Sequence, residues 1–105
     1  MDSKSADILT NLTKVIESRK GKDAPSSYVA SLFDKGTEHI AQKVGEEAVE
    51  LALASVTEGK TVSEAADLLF HMMILLSDKG YNLDDVAAEL ARREGISGHD
   101  EKAGR

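Results

Sequence analysis

The sequence lacks cysteine and tryptophan and contains a single proline among its 105 residues. Without cysteine, disulfide bonds, thiolate nucleophiles and cysteine-ligated zinc are excluded. Only two tyrosines and two phenylalanines accompany many Ala, Leu, Glu and Lys residues. This composition favours helix over sheet, because these side chains lose little rotamer freedom in a helix. We therefore predict an all-α protein.

Long hydrophobic runs and basic clusters are also missing. No apolar segment reaches the length of a signal peptide core or a membrane span, so we expect a cytoplasmic protein with no membrane contact. The formal charge is −6, and no Lys/Arg-rich run with interleaved aromatics is present. A nucleic-acid partner is therefore not expected, since binding a phosphate backbone requires cations. A free nucleotide is not excluded, because a bound metal ion supplies positive charge.

The length of the chain suits one domain with one hydrophobic core, and we predict a single domain over 1–105. A chain of this size buries limited surface alone, and its apolar helix faces exceed what one thin layer covers. We therefore expect at least a homodimer.

Glycines and capping residues separate five segments with helical spacing of apolar side chains, and these predict a small helical bundle of four to five helices. The segment after Gly95 is polar and is predicted to be a loop or to be ordered by a ligand or partner. The first predicted helix covers about 5–19, and the second runs from Ser27 to Gly36. The third runs from Gly36 to about Thr57, and the fourth from Thr61 or Ser63 to near Gly80. The fifth is capped by Asn82.

Two glutamates of the third helix fall on its apolar face. A Glu-rich stretch such as 46–50 is usually a solvated helix face. At about 100° per residue, however, Glu47 lies in the middle of the apolar stripe and Glu50 lies about 60° to one side. Glu46 lies at the edge of the stripe, where it either faces solvent or supports a neighbouring carboxylate. We predict that Glu47 and Glu50 point into the protein.

The fourth helix carries acids within an even more apolar segment. From Ala65 to Leu76 ten of twelve residues are apolar, and the exceptions are Asp67 and His71. Together with Glu64, these residues form one polar stripe within about 60° of arc. An ionised carboxylate in an apolar interior costs several kcal/mol, and facing carboxylates favour each other's protonation. Four inward acids therefore require a compensating cation.

A divalent metal ion is the simplest such cation. The apolar faces of these two helices contain no Lys or Arg, and Lys43 lies near an edge. Oxygen ligands without cysteine or paired histidines suit a hard ion, so we predict Mg²⁺, with Mn²⁺ as a substitute. The spacings Glu-x-x-Glu and Glu-x-x-Asp place both members of each pair on one helix face, so two antiparallel helices surround one cluster. The predicted ligands are Glu47, Glu50, Glu64 and Asp67.

These spacings resemble those of the all-α nucleoside triphosphate pyrophosphatase superfamily, which includes MazG and the dimeric dUTPases. The flanking sequence narrows the resemblance to the phosphoribosyl-ATP pyrophosphatase family, from about Ser27 to the C-terminus. It rests on SYVASLF (27–33), KG (35–36), KVGEEAVE (43–50), EAADLLFH (64–71), REGISG (93–98) and EKA (101–103). Phe70 departs from the pattern, because tyrosine is common there, and this affects a hydroxyl contact but not the metal site.

Several properties follow from this resemblance. It implies a homodimeric enzyme of histidine biosynthesis that hydrolyses the α-β phosphoanhydride of phosphoribosyl-ATP, with Mg²⁺, to phosphoribosyl-AMP and pyrophosphate. Family members also occur fused to a phosphoribosyl-AMP cyclohydrolase domain, and the length and lack of cysteine here predict the stand-alone form.

The resemblance also assigns roles within the site. The four acids hold one or more metal ions, and Glu47 or Glu50 serves as the general base. His71, and also Glu46, would support a metal-binding carboxylate, although a core histidine with satisfied hydrogen bonds is the alternative for His71. The residues that we predict to bind substrate phosphates are Lys35, Lys43, Lys102 and Arg105, and a solvated side chain is the alternative for each lysine.

Three other functions compete with this interpretation. The nearest is a housecleaning enzyme of the same superfamily that destroys noncanonical nucleoside triphosphates. A non-catalytic helical interaction module, whose acids bind a basic partner, is the second. The third, a di-iron carboxylate bundle, is disfavoured because such bundles use Glu-x-x-His pairs, whereas His71 follows Asp67 by four residues.

Overall fold

A computed structural model describes residues 3–22 and 27–94 of the chain. The helices within these ranges are α1 (Ser3–Arg19), α2 (Tyr28–Lys35), α3 (Thr37–Ser55), α4 (Thr61–Asp78) and α5 (Leu83–Glu94). No strand occurs in either described range. The predicted all-α class is confirmed, and the helices begin and end close to the predicted positions.

Local sequence explains two of the helix starts. The Ser27 side chain accepts a hydrogen bond from the main-chain N–H of Ala30 at 3.2 Å, which caps α2. At the start of α5, Asn82 accepts from the N–H of Asp85 at 3.2 Å, and Asp85 accepts from the N–H of Asn82 at 3.0 Å. This reciprocal pair satisfies two main-chain donors that the helix itself leaves free. Both predicted capping residues are therefore confirmed.

The hydrophobic core lies where the first four helices meet. Four aliphatic side chains at its centre are at most 1% exposed, one from each of these helices. They are Ile16 on α1, Leu32 on α2, Ile40 on α3 and Ile74 on α4. The most extensive packing joins α3 to α4, so these two helices form a hairpin on which α1 and α2 lie.

A polar cluster fixes the C-terminal end of α4 to α1. The Ser77 hydroxyl donates to the Glu17 carboxylate at 2.6 Å, and the Lys20 ammonium donates to the main-chain oxygen of Ser77. Ser77 is 3% exposed, so Glu17 satisfies its buried hydroxyl and Lys20 bonds to its main-chain oxygen. The contact orients α4 from the end opposite to its acids.

Several apolar surfaces are not covered within the described chain. None of the residues of α5 is buried, and a groove of about 470 Å³ separates its apolar stripe from α1. Near the turn between α3 and α4, four large apolar side chains are more than half exposed: Val49, Leu53, Val56 and Val62. Within the described ranges, no helix has the length and apolar character needed to cross a membrane.

Gly45 lies in the middle of α3, and replacing it tests whether the fold requires a glycine there. A methyl group added there would meet no atom within 4 Å. A glycine inside a helix costs about 1 kcal/mol relative to alanine, so Gly45→Ala is expected to stabilise the chain by about 0.5–1 kcal/mol in urea unfolding.

Gly59 provides the matched control for this substitution. A methyl group at Gly59 would lie 2.9 Å from the Ala54 backbone and side chain, so Gly59→Ala is expected to lower the free energy of unfolding. A destabilised Gly45→Ala chain would contradict the prediction. If this variant is stabilised but loses activity, the space beside Gly45 is used by substrate or by a second copy.

Candidate active site

Three carboxylates from α3 and α4 form a cluster near the turn of the hairpin. One oxygen from each of Glu47, Glu64 and Asp67 lies within 4.8 Å of the other two. Glu64 and Asp67 are one turn apart in the first half of α4, while Glu47 lies on α3. The packing of α3 on α4 therefore brings together acids from two separate Glu-x-x-acid pairs.

Glu47 is the most buried acid of the cluster. It is only 8% exposed, and its Oε2 atom has no hydrogen-bond partner among the described residues. Burial, and then the charge of Glu50, raise the pKa of Glu47, while the nearby His71 opposes the rise. A buried carboxylate oxygen without a donor is unfavourable. In its ionised form, Glu47 therefore needs a positive partner.

Glu64, on α4, likewise has a carboxylate oxygen that lacks a donor among the described residues. The residue is half-buried, and its Oε2 atom also has no hydrogen-bond partner in the part of the chain that the structure describes. Burial, followed by the nearby carboxylate of Glu50, raises the pKa of Glu64. Two unpartnered carboxylate oxygens in an all-oxygen cluster suit a hard divalent cation. The residues present therefore fit Mg²⁺ or Mn²⁺.

Asp67 and Glu50 lie on the solvent side of the cluster. Both are exposed in the described chain, although Asp67 contributes a carboxylate oxygen to the cluster and Glu50 is close enough to Glu64 to raise its pKa. Glu50 was predicted to point inward, and its position differs from that prediction. The physical reason is its offset of about 60° from the centre of the apolar stripe, which places it on the flank of α3.

His71 lies directly behind the cluster. It is 6% exposed, and its Nδ1 atom is 2.9 Å from the main-chain oxygen of Asp67 and 3.7 Å from Oε1 of Glu47. The other ring nitrogen, Nε2, lies 3.0 Å from the hydroxyl oxygen of Tyr28. Both nitrogens therefore have partners, and the ring lies beside the Glu47 carboxylate and the main chain of Asp67.

The other residues predicted for the site differ in how buried they are, and two of them are not described. Lys43 is half-buried one turn before Glu47, and its charge opposes the raised pKa of Glu47. Lys35 is exposed in the last turn of α2, and Glu46 is exposed on α3. Lys102 and Arg105 lie outside the described residues.

Tyr28 has no function that the sequence alone predicts. Its hydroxyl reaches His71 across the interface of α2 and α4, between residues 43 positions apart in the chain. Spacing along one helix does not reveal such a contact. The one local signal is the position of Tyr28 directly after the capping residue Ser27, which fixes where α2 begins.

The fold and the cluster together define a class: an all-α protein with a carboxylate site suited to a divalent cation. A family model described as phosphoribosyl-ATP pyrophosphohydrolase matches residues 9–94. The chain is 52% identical over 103 residues to the phosphoribosyl-ATP pyrophosphatase of Zymomonas mobilis, covering 96% of each chain. It is 54% identical over 99 residues to that of Azorhizobium caulinodans, covering 92% of this chain and 91% of the relative.

A third relative has a different length. The histidine biosynthesis bifunctional protein HisIE of Shewanella oneidensis is 48% identical over 95 residues, which are 89% of this chain and 45% of that protein. The chain belongs to the phosphoribosyl-ATP pyrophosphohydrolase family. The family resemblance predicted from the sequence is thereby confirmed.

Proposed function

We propose that this chain is an enzyme of histidine biosynthesis that hydrolyses phosphoribosyl-ATP to phosphoribosyl-AMP and pyrophosphate. The names and the high identity of its relatives support this activity. One structural observation carries the proposal. Within a cluster of three acids, Glu47 and Glu64 each have a buried carboxylate oxygen that finds no hydrogen-bond partner in ranges 3–22 and 27–94. Such a site fits chemistry on a phosphoanhydride, whose oxygens also bind hard cations.

The proposed cofactor is Mg²⁺, with Mn²⁺ as a substitute. Glu47, Glu64 and Asp67 would hold it, while Glu50, the fourth ligand predicted from the sequence, lies beside Glu64 with its side chain exposed. When bound, a divalent ion neutralises charge on the phosphate oxygens and stabilises the leaving pyrophosphate.

Glu50 is the residue that we propose as the general base. It is exposed, so water reaches its carboxylate, whereas Glu47 is buried. Glu50 takes the proton of the attacking water, the water oxygen bonds to phosphorus, and the α-β anhydride bond breaks to release pyrophosphate. Glu47 was the other candidate base, and its burial suits it to holding the cation instead.

Lys43 is the proposed phosphate contact with the best support. It lies one turn before Glu47, and it is close enough to affect the pKa of that residue. A cation at this position would attract the negative substrate and offset the acids around it. Lys35, Lys102 and Arg105 are retained as further predicted phosphate contacts.

A homodimer is part of the same proposal. Four large apolar side chains near the turn of the hairpin are 59–83% exposed, namely Val49, Leu53, Val56 and Val62. Clustered apolar side chains of this kind usually mark an interface, and a second copy of the hairpin would cover them. The cytoplasmic location expected from the sequence stays a prediction.

Glu50→Gln tests the proposed reaction. We expect pyrophosphate release from phosphoribosyl-ATP to fall by about 100-fold or more, because the amide cannot take a proton from water. The assay follows pyrophosphate with phosphoribosyl-ATP and with a panel of ordinary and damaged nucleoside triphosphates.

Glu38→Gln is the matched control, because Glu38 is an exposed acid in the first turn of the same helix. Turnover of Glu50→Gln at the control rate would remove Glu50 from the reaction. Faster release from damaged triphosphates than from phosphoribosyl-ATP would instead support the housecleaning alternative.

A further inference from the structure

Tyr28 is held in place at the junction of α2 and α4. Its ring stacks on Phe70 with a centroid separation of 6.3 Å and meets the edge of His71 at 6.1 Å. Although the residue is 53% exposed, its hydroxyl oxygen lies 3.0 Å from Nε2 of His71. The ring contacts and the hydrogen bond together fix the orientation of the hydroxyl group.

The direction of this hydrogen bond follows from the other nitrogen of His71. Nδ1 lies 2.9 Å from the main-chain carbonyl oxygen of Asp67, and a carbonyl oxygen can only accept. Nδ1 therefore carries the hydrogen atom in the neutral ring, and Nε2 is an acceptor. It follows that the Tyr28 hydroxyl donates to Nε2.

This arrangement connects Tyr28 to the acids without direct contact. The Nδ1–H group of His71 donates to the carbonyl of Asp67 and lies 3.7 Å from Oε1 of Glu47. Asp67 and Glu47 both contribute carboxylate oxygens to the cluster. Because His71 is only 6% exposed, water has little access to replace either of its hydrogen bonds.

We propose that Tyr28 is a positioning residue for the metal centre. By donating to Nε2, it holds the His71 ring so that Nδ1–H donates to the main-chain oxygen of Asp67 and faces the Glu47 carboxylate. The inference rests on the proposed function, since it requires these acids to hold a divalent cation. Without the Tyr28 hydroxyl, the ring can transfer its hydrogen to Nε2 or rotate, and the Glu47 carboxylate loses a fixed N–H group beside it.

The expected loss of metal affinity depends on how directly a residue contacts a metal ligand. Removing a group that directly orients a metal ligand typically weakens metal binding by about 10- to 100-fold. Tyr28 acts through His71, so we expect a smaller loss of about 3- to 10-fold for Tyr28→Phe.

Calorimetric titration of the full chain with Mn²⁺ tests this inference. Tyr28→Phe is expected to bind Mn²⁺ about 3- to 10-fold more weakly. Its melting temperature without metal is expected to fall by a few degrees, because Nε2 of the buried His71 loses its donor. Tyr81→Phe is the matched control, because Tyr81, the other tyrosine, is similarly exposed at 57%. Its Mn²⁺ affinity is expected to equal that of the unsubstituted chain.

Two further measurements separate positioning from a general structural effect. Long-range proton–nitrogen NMR spectra of the neutral His71 ring are expected to show hydrogen on Nδ1 in the unsubstituted chain and a mixture of tautomers in Tyr28→Phe. His71→Gln is expected to weaken Mn²⁺ binding, and adding Tyr28→Phe to it is expected to cause no further loss, because the two residues act in series.

The outcomes also distinguish this inference from the proposed function. Unchanged Mn²⁺ affinity and an unchanged His71 tautomer in Tyr28→Phe would overturn the inference and leave the proposed function standing. Equal losses in Tyr28→Phe and Tyr81→Phe would overturn it as well. If the unsubstituted chain neither binds Mn²⁺ nor releases pyrophosphate, both the proposed function and the inference fail.

Discussion

Glu47→Gln is expected to reduce pyrophosphate release by more than about 1000-fold and to raise the melting temperature of the metal-free protein. Both effects have one cause, which is a buried carboxylate oxygen with no donor among the described residues. The amide removes the charge that a divalent cation would neutralise, and stabilisation of phosphate charge by such an ion is worth several kcal/mol. In the metal-free chain the same change removes an uncompensated negative charge.

Three measurements check this prediction: steady-state pyrophosphate release, melting temperature without metal, and the change in melting temperature when Mg²⁺ is added. Mg²⁺ is expected to stabilise the unsubstituted chain but not Glu47→Gln, because a ligand stabilises only the state that binds it. Glu38→Gln again serves as the control and should respond to Mg²⁺ as the unsubstituted chain does. A Glu47→Gln chain with full activity would remove Glu47 from the metal site.

The second large effect is a loss of stability in the hydrophobic core that packs against the α3–α4 hairpin. Ile74 is fully buried on α4, one turn after His71, and it packs with Ile16 and Ile40. Ile74→Ala is expected to lower the free energy of unfolding by about 3 kcal/mol, because it removes buried apolar groups and leaves a cavity. In a chain of this length the loss corresponds to a decrease in melting temperature of roughly 15 °C.

Urea unfolding of Ile74→Ala measures this cost, and Ile8→Ala is the matched control because Ile8 is 59% exposed. The control is expected to change stability by less than about 1 kcal/mol. Equal losses in the two variants would mean that the four-helix core does not lie at Ile74. At temperatures where Ile74→Ala remains folded, we expect it to retain activity, since it contributes no group to the site.

Helix positions were predictable because their signals are local. Ser27 and Asn82 act through side chains that reach main-chain groups a few residues away, and the structure contains both hydrogen bonds. The burial of Glu47 was likewise predictable from its place in the apolar stripe of α3. Class and helix order thus depend on short-range patterns that a single sequence contains.

The features that sequence did not predict depend on contacts between helices. Glu50 differs from Glu47 by only a small rotation about α3, and the packing of α4 determines which of them is covered. The Tyr28–His71 hydrogen bond depends on how α2 lies across α4, which spacing along either helix does not specify. The positions of Lys102 and Arg105 lie outside the described residues, so their proposed contacts remain predictions.

Within the described residues, the acids of the candidate site come from one continuous stretch of chain, 47–67, closed by a single turn. Contacts between near neighbours in sequence form with little loss of chain entropy, so this hairpin can assemble without waiting for the ends of the chain. A cation bound there would slow amide hydrogen exchange most in α3 and α4 and least in α5, which has no buried residue. The metal would then stabilise the protein locally. Its removal would loosen α3 and α4 before the whole chain unfolds.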